Sequence, residues 1–70
     1  MLTATGKANI EHMLPGEQVT VGGPAAGENV RYEVYRYESE FVVKVFDHLV
    51  LLDNESISTA AEVIKYIERF

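Results

Sequence analysis

One stretch constrains the fold more than any other: residues 30–52 read VRYEVYRYESEFVVKVFDHLVLL, a run in which β-branched and aromatic residues recur almost without a break. Two strands, residues 30–36 and 41–46, are joined there by Tyr37-Glu38-Ser39-Glu40, a four-residue connection suited to a type I turn. That length sets a register. Arg36 pairs with Phe41, Tyr35 with Val42, Val34 with Val43, Glu33 with Lys44, Tyr32 with Val45 and Arg31 with Phe46. A slip of one residue would set Lys44 against Val34 and lose the charge match. One face then carries Tyr32, Val34, Phe41, Val43 and Val45. The other carries Tyr35, Val42 and Phe46 around the Glu33/Lys44 pair, so neither face is cleanly polar.

The rest of the chain supplies what can cover that sheet. Residues 1–6 show no periodicity and are expected to fray, and residues 7–14 suit a short helix with Ile10, Met13 and Leu14 on one side, stopped by Pro15-Gly16. Residues 18–21 read as a short strand, and residues 22–29 as a flexible loop back into the main stretch. After Phe46, Asp47-His48 is either a tight turn or a bulge in one longer strand. In the turn reading Val45 faces Val50 and Val43 faces Leu52, and Asp53-Asn54-Glu55 ends the sheet. The C-terminal segment is an amphipathic helix: Ser58 is a natural N-cap, Thr59 with Glu62 offers an alternative capping box, and Ala60, Val63, Ile64, Ile67 and Phe70 form an apolar stripe.

These elements predict an α+β fold, a three- to four-stranded antiparallel sheet with the C-terminal helix across one face and a short N-terminal helix, in one domain over residues 1–70. The C-terminal helix is expected to cover Tyr32, Val34, Val43, Val45, Val50 and Leu52. Tyr35, Val42, Phe46, Leu49 and Leu51 are left. Either the N-terminal helix covers them or they meet another protein or a second copy of the chain, because large apolar patches mark interfaces.

Composition narrows the function. Eleven acidic against six basic residues give a net charge of -5, which disfavours phosphate backbones and anionic membranes and favours a basic partner. With 47% hydrophobic and 24% charged residues the chain is ordinary globular material. It has no cysteine, hence no thiolate nucleophile or thiolate metal site. The N-terminus has no signal-peptide pattern and no run approaches membrane-spanning length, so a cytoplasmic location is expected.

No residue set carries a reaction. Gly22-Gly23-Pro24-Ala25-Ala26-Gly27-Glu28-Asn29 spaces its glycines like a phosphate loop, but Glu28-Asn29 stands where Lys-Ser/Thr is required and a strand follows instead of a helix. His12 and His48 are too few and too separate for a zinc site or an oriented catalytic base. No cofactor, metal or catalytic residue is assigned, and the chain is read as a non-enzyme. The remaining candidates are contact residues: Tyr35, Tyr37, Glu38, Glu40, Val42, Phe46, Asp47 and Leu49, which join aromatic and aliphatic groups to an acidic rim.

The order helix, three strands, helix, with Ser58 and Ala60-Ala61 opening the last helix, resembles double-stranded-RNA-binding domains. That family holds phosphates with lysines at the start of its last helix, where this chain has Ser56-Ile57-Ser58-Thr59. Phe41-Val42-Val43-Lys44-Val45-Phe46 and the Thr59-Ala60-Ala61-Glu62 helix start are similar in layout to HicB-type antitoxins. In size and acidity the chain resembles small phage-encoded inhibitors of bacterial defence, including anti-CRISPR proteins. That resemblance implies a stoichiometric inhibitor that blocks a basic nucleic-acid-binding surface of a bacterial defence complex. The alternative is a homodimeric structural or regulatory domain, such as an antitoxin-like partner protein, burying Tyr35, Val42, Phe46, Leu49 and Leu51 between subunits.

Overall fold

The computed structural model describes residues 2–23 and 27–69. Its elements run α1 (Ala4–Glu11), β1 (Gln18–Gly22), β2 (Val30–Arg36), β3 (Phe41–Asp47), β4 (Val50–Ile57) and α2 (Ala60–Arg69). The strands form one antiparallel meander in the order β1-β2-β3-β4. This is the expected α+β architecture, with four strands.

The β2–β3 hairpin has the expected register at every pair from Arg36 opposite Phe41 to Arg31 opposite Phe46, extended by Val30 opposite Asp47. Its connection is closed by the Tyr37 amide donating to the Glu40 carbonyl at 2.8 Å. One face of the hairpin builds the core. Tyr32, Val34, Phe41, Val43 and Val45 are buried there with Val63, Tyr66 and Ile67 of α2.

The N-terminal segment departs from expectation. Its helix spans Ala4–Glu11, not residues 7–14, and residues 4–6 belong to it. The physical reason is a cap: Thr3 Oγ1 accepts from the Gly6 amide at 3.0 Å, satisfying a donor that an uncapped start would leave open. Leu2, Ile10 and Met13 are buried in the same cluster as α2, so both helices lie on one side of the sheet. The opposite face keeps no helix over it. Leu14, expected on the helix stripe, is exposed beyond the end of α1.

Between α1 and β1 the Pro15-Gly16 turn is fastened to the sheet, with the Gly16 amide on the Arg36 carbonyl (2.8 Å) and the Arg36 amide on the Glu17 carbonyl (3.0 Å). Gly22 ends β1 at φ +76°, and a Cβ there would sit 2.7 Å from the Val30 carbonyl oxygen. Only glycine fits that approach. Pro24, Ala25 and Ala26 of the expected loop lie outside the described residues, as does Phe70 of the expected helical stripe.

The last strand is the larger correction. The turn residues are His48 and Leu49, with Asp47 opposite Val50 and Phe46 opposite Leu51; then the register shifts, and Val45 faces Asp53, Val43 faces Glu55 and Phe41 faces Ile57. The turn thus falls one residue beyond the expected Asp47-His48, no bulge forms at Asp47-His48, and the bulge that does form has Leu52 as its extra residue. Val50 and Leu52 therefore do not lie under α2; both are exposed. Asp53-Asn54-Glu55 continues the strand, which an edge position permits because its side chains reach water on either face.

The α2 cap is the Thr59 box rather than Ser58: the Glu62 amide donates to Thr59 Oγ1 (3.2 Å), and that hydroxyl donates to Glu62 Oε1 (3.1 Å). Its buried residues are Val63, Tyr66 and Ile67, with Ala60 and Ile64 half-buried. Glu62, Lys65, Glu68 and Arg69 face solvent as expected.

Candidate functional site

Cross-strand partners share a face, so the pairing fixes what the helix-free side presents. Its central row, Thr20, Glu33, Lys44 and Asn54, is polar across all four strands. On one side of that row lie Tyr35 and Val42, and on the other Phe46 and Leu51. The expected Glu33/Lys44 pair is thus extended by Thr20 and Asn54 into a row that divides the apolar residues of this face in two.

Each half is also roofed by its own cation. The Arg31 guanidinium lies over the Phe46 ring at 4.4 Å from its centroid, and Lys44 Nζ over the Tyr35 ring at 5.4 Å. Glu33 ties these together, accepting from Tyr35 Oη at 2.7 Å and from Arg31 Nε at 3.1 Å. The Tyr35 hydrogen bond holds the Glu33 carboxyl below its ordinary range, with Arg31 and then Lys44 adding to it. The same bond raises the Tyr35 phenol. Tyr35, Val42 and Phe46 are consequently half-buried without a helix above them.

Exposed apolar surface concentrates at the end of the β3–β4 hairpin. Leu49 is 92% exposed, Val50 62%, Leu51 50% and Leu52 51%, four consecutive residues bracketed by Asp47 and Asp53. The tip is a defined structure. His48 has φ +56°, the one described non-glycine with a positive value, and the Arg31 Nη1 donates to its carbonyl at 2.8 Å. Its ring Nδ1 meets Asp47 Oδ1 at 2.7 Å.

The contact residues expected from sequence fall into three places. Tyr35, Val42 and Phe46 share the helix-free face, Asp47 and Leu49 lie at the β3–β4 tip, and Tyr37, Glu38 and Glu40 sit at the opposite end of β3. At that end Tyr37 is exposed and Glu40 accepts from the Ser56 hydroxyl at 2.5 Å. Val50 and Leu52 belong to the exposed tip and not to the core expected for them under the C-terminal helix. The signal that would have placed them was the polar run after them, DNES, which reads as well as an edge strand as it does a loop.

A cleft of about 590 Å³ separates β4 from α2, walled by Asp53, Glu55 and Ile57 on one side and Glu62, Lys65, Tyr66 and Arg69 on the other. Tyr66 Oη donates to Asp53 Oδ2 at 2.5 Å and pins the helix to the edge strand. Burial first, and then this bond, push the Tyr66 phenol far above its ordinary value; the bond and the Asn54 amide lower Asp53. Both groups thus keep one protonation state across neutral pH.

His12 is exposed at the end of α1 and His48 at the hairpin turn. Among the described residues no three His, Cys, Asp or Glu side chains gather as a metal site, and no helix is long and apolar enough to cross a membrane. The chain matches no protein-family model, no curated protein by sequence and no solved structure by fold.

Proposed function

We propose that this chain is a non-enzymatic protein-binding module that docks through the β3–β4 tip. The observation that carries the reading is the exposed run Leu49, Val50, Leu51 and Leu52 held on a structured turn between Asp47 and Asp53. An apolar centre inside an acidic rim fits an apolar depression bordered by Lys or Arg, and the net charge of -5 adds long-range attraction to such a surface. Tyr35 and Phe46 carry their cations on the neighbouring face and extend the contact area.

In its narrower form the partner is a nucleic-acid-handling complex of bacterial defence, and the chain is a stoichiometric inhibitor of the anti-CRISPR kind. Small size and acidity support that form. The test is capture of the partner from the native cell by the tagged chain, repeated with Leu49→Ser/Leu51→Ser and with Tyr35→Ala. Loss of the partner with the folded leucine variant supports tip docking. Undiminished capture by that variant sinks it. Displacement of the captured partner by nucleic acid tests the narrower form.

A further inference from the structure

β4 is an edge strand of eight residues, paired only to β3, whereas the other edge strand, β1, has five. Unpaired strand backbone is a template for another strand. The cleft beside α2 runs along this strand: Asp53, Glu55, Ser56 and Ile57 of β4 line it, with Ser58 just past the strand end. Among the described residues Glu55 and Lys65 make no hydrogen bond or ion pair across it.

A second copy is a poor occupant. Two-fold symmetric antiparallel pairing sets one residue opposite its own copy. With the axis at Asp53 or at Glu55, carboxylate meets carboxylate. With the axis at Asn54, Asp53 of each copy meets Glu55 of the other. An axis at Leu52 falls on the bulge, and axes nearer either end overlap only a few residues. The spacing that repels a copy is the spacing that accepts cations, since opposite charges across a strand pair are stabilising and like charges are not.

We infer that β4 takes up an extended Lys- or Arg-bearing segment of the partner as a fifth strand, with α2 as the wall of its groove. Basic side chains lie opposite Asp53 and Glu55, and apolar ones alternate with them, one of them against Leu52. Lys65 and Arg69 on the α2 wall confine the cations to the two positions facing β4 carboxylates. Backbone pairing supplies affinity and the alternate side chains supply selectivity, as in other strand-addition complexes. The inference rests on the reading of the chain as a protein-binding module and does not require Leu49.

The test is an NMR titration of the labelled chain with a blocked seven-residue peptide of alternating lysine and valine. The same peptide with glutamate for lysine, and two lysine peptides N-methylated on one or the other set of alternate amides, are the comparisons. The lysine peptide is expected to shift β4 amide signals, slow their hydrogen exchange and bind about tenfold tighter than the glutamate peptide. One N-methylation pattern abolishes binding and the other leaves it within about twofold, because only alternate amides face the sheet. Glu55→Lys reverses the preference, and Leu49→Ser leaves it intact. Equal response to both charges, shifts that avoid β4, or no response at about millimolar peptide overturns strand addition. A chain that binds no peptide yet loses its captured partner on Leu49→Ser/Leu51→Ser has failed this inference and kept tip docking.

Discussion

Arg31 and His48, seventeen residues apart in sequence, are joined by a hydrogen bond from the Arg31 Nη1 to the His48 carbonyl at 2.8 Å. The same guanidinium donates to Glu33 and covers the Phe46 ring. One side chain on β2 therefore shields half of the helix-free face and holds the turn that presents Leu49. Arg31→Lys keeps the charge but loses the planar fork that makes these contacts together. A stability loss of about 1–2 kcal/mol is expected in urea unfolding, with faster hydrogen exchange at the tip amides. Unchanged exchange there would show that the turn stands without Arg31.

His48 adopts φ +56°, a region that costs a residue with a Cβ and costs glycine nothing. His48→Gly is expected to raise stability by about 0.5–1 kcal/mol, read as a higher thermal midpoint. The exposed Asp47 contact it sacrifices is worth little. A lower midpoint would mean that this contact outweighs the backbone strain.

Ile10 and Leu49 make opposite predictions from similar side chains. Ile10 is fully buried between α1 and the α2 side of the core, so Ile10→Ala should cost about 2–4 kcal/mol, a large share of the stability of a chain this small. Leu49→Ser should stay within about 0.5 kcal/mol of the parent, because little of the side chain leaves water on folding. Chemical denaturation of both variants checks the pair.

The Tyr35 hydroxyl bound to Glu33 makes stability depend on pH in a set direction. Because folding lowers the Glu33 pKa, its stabilisation is full above about pH 4.5, the value of the unfolded carboxyl, and is lost as the pH falls through the lower folded value. Folding raises the Tyr35 phenol, so that contribution is full below pH 10 and is lost as the pH rises through the folded value. Tyr35→Phe should lower stability at pH 7 by about 1 kcal/mol and flatten both limbs. Parallel melting curves of variant and parent from pH 3 to 7 would refute the acid limb.

The β2–β3 pairing was legible because its loop length and the Glu33/Lys44 match agree on one register, and both are local facts of the sequence. The α2 stripe was legible for the same reason, through its period. The bulge at Leu52 was not, since the pattern LVLLDNES suits a buried strand followed by a loop as well as an exposed edge strand. Nor does a sequence pattern say which side of a sheet an eight-residue helix chooses. The Thr3 cap extends α1 toward the N-terminus, and Ile10, Met13 and Leu2 then join the core beside Val63 and Ile67.

The sequence by itself determined the first three strands, the β2–β3 register, the amphipathic C-terminal helix and the acidic charge, because each depends on spacing along the chain. Tertiary structure alone decided that both helices share one face, that cations from the same strands cover the aromatic groups of the other, and that the exposed apolar surface lies at residues 49–52. Those outcomes depend on which distant residues meet, as Arg31 meets His48, and no local period encodes that meeting.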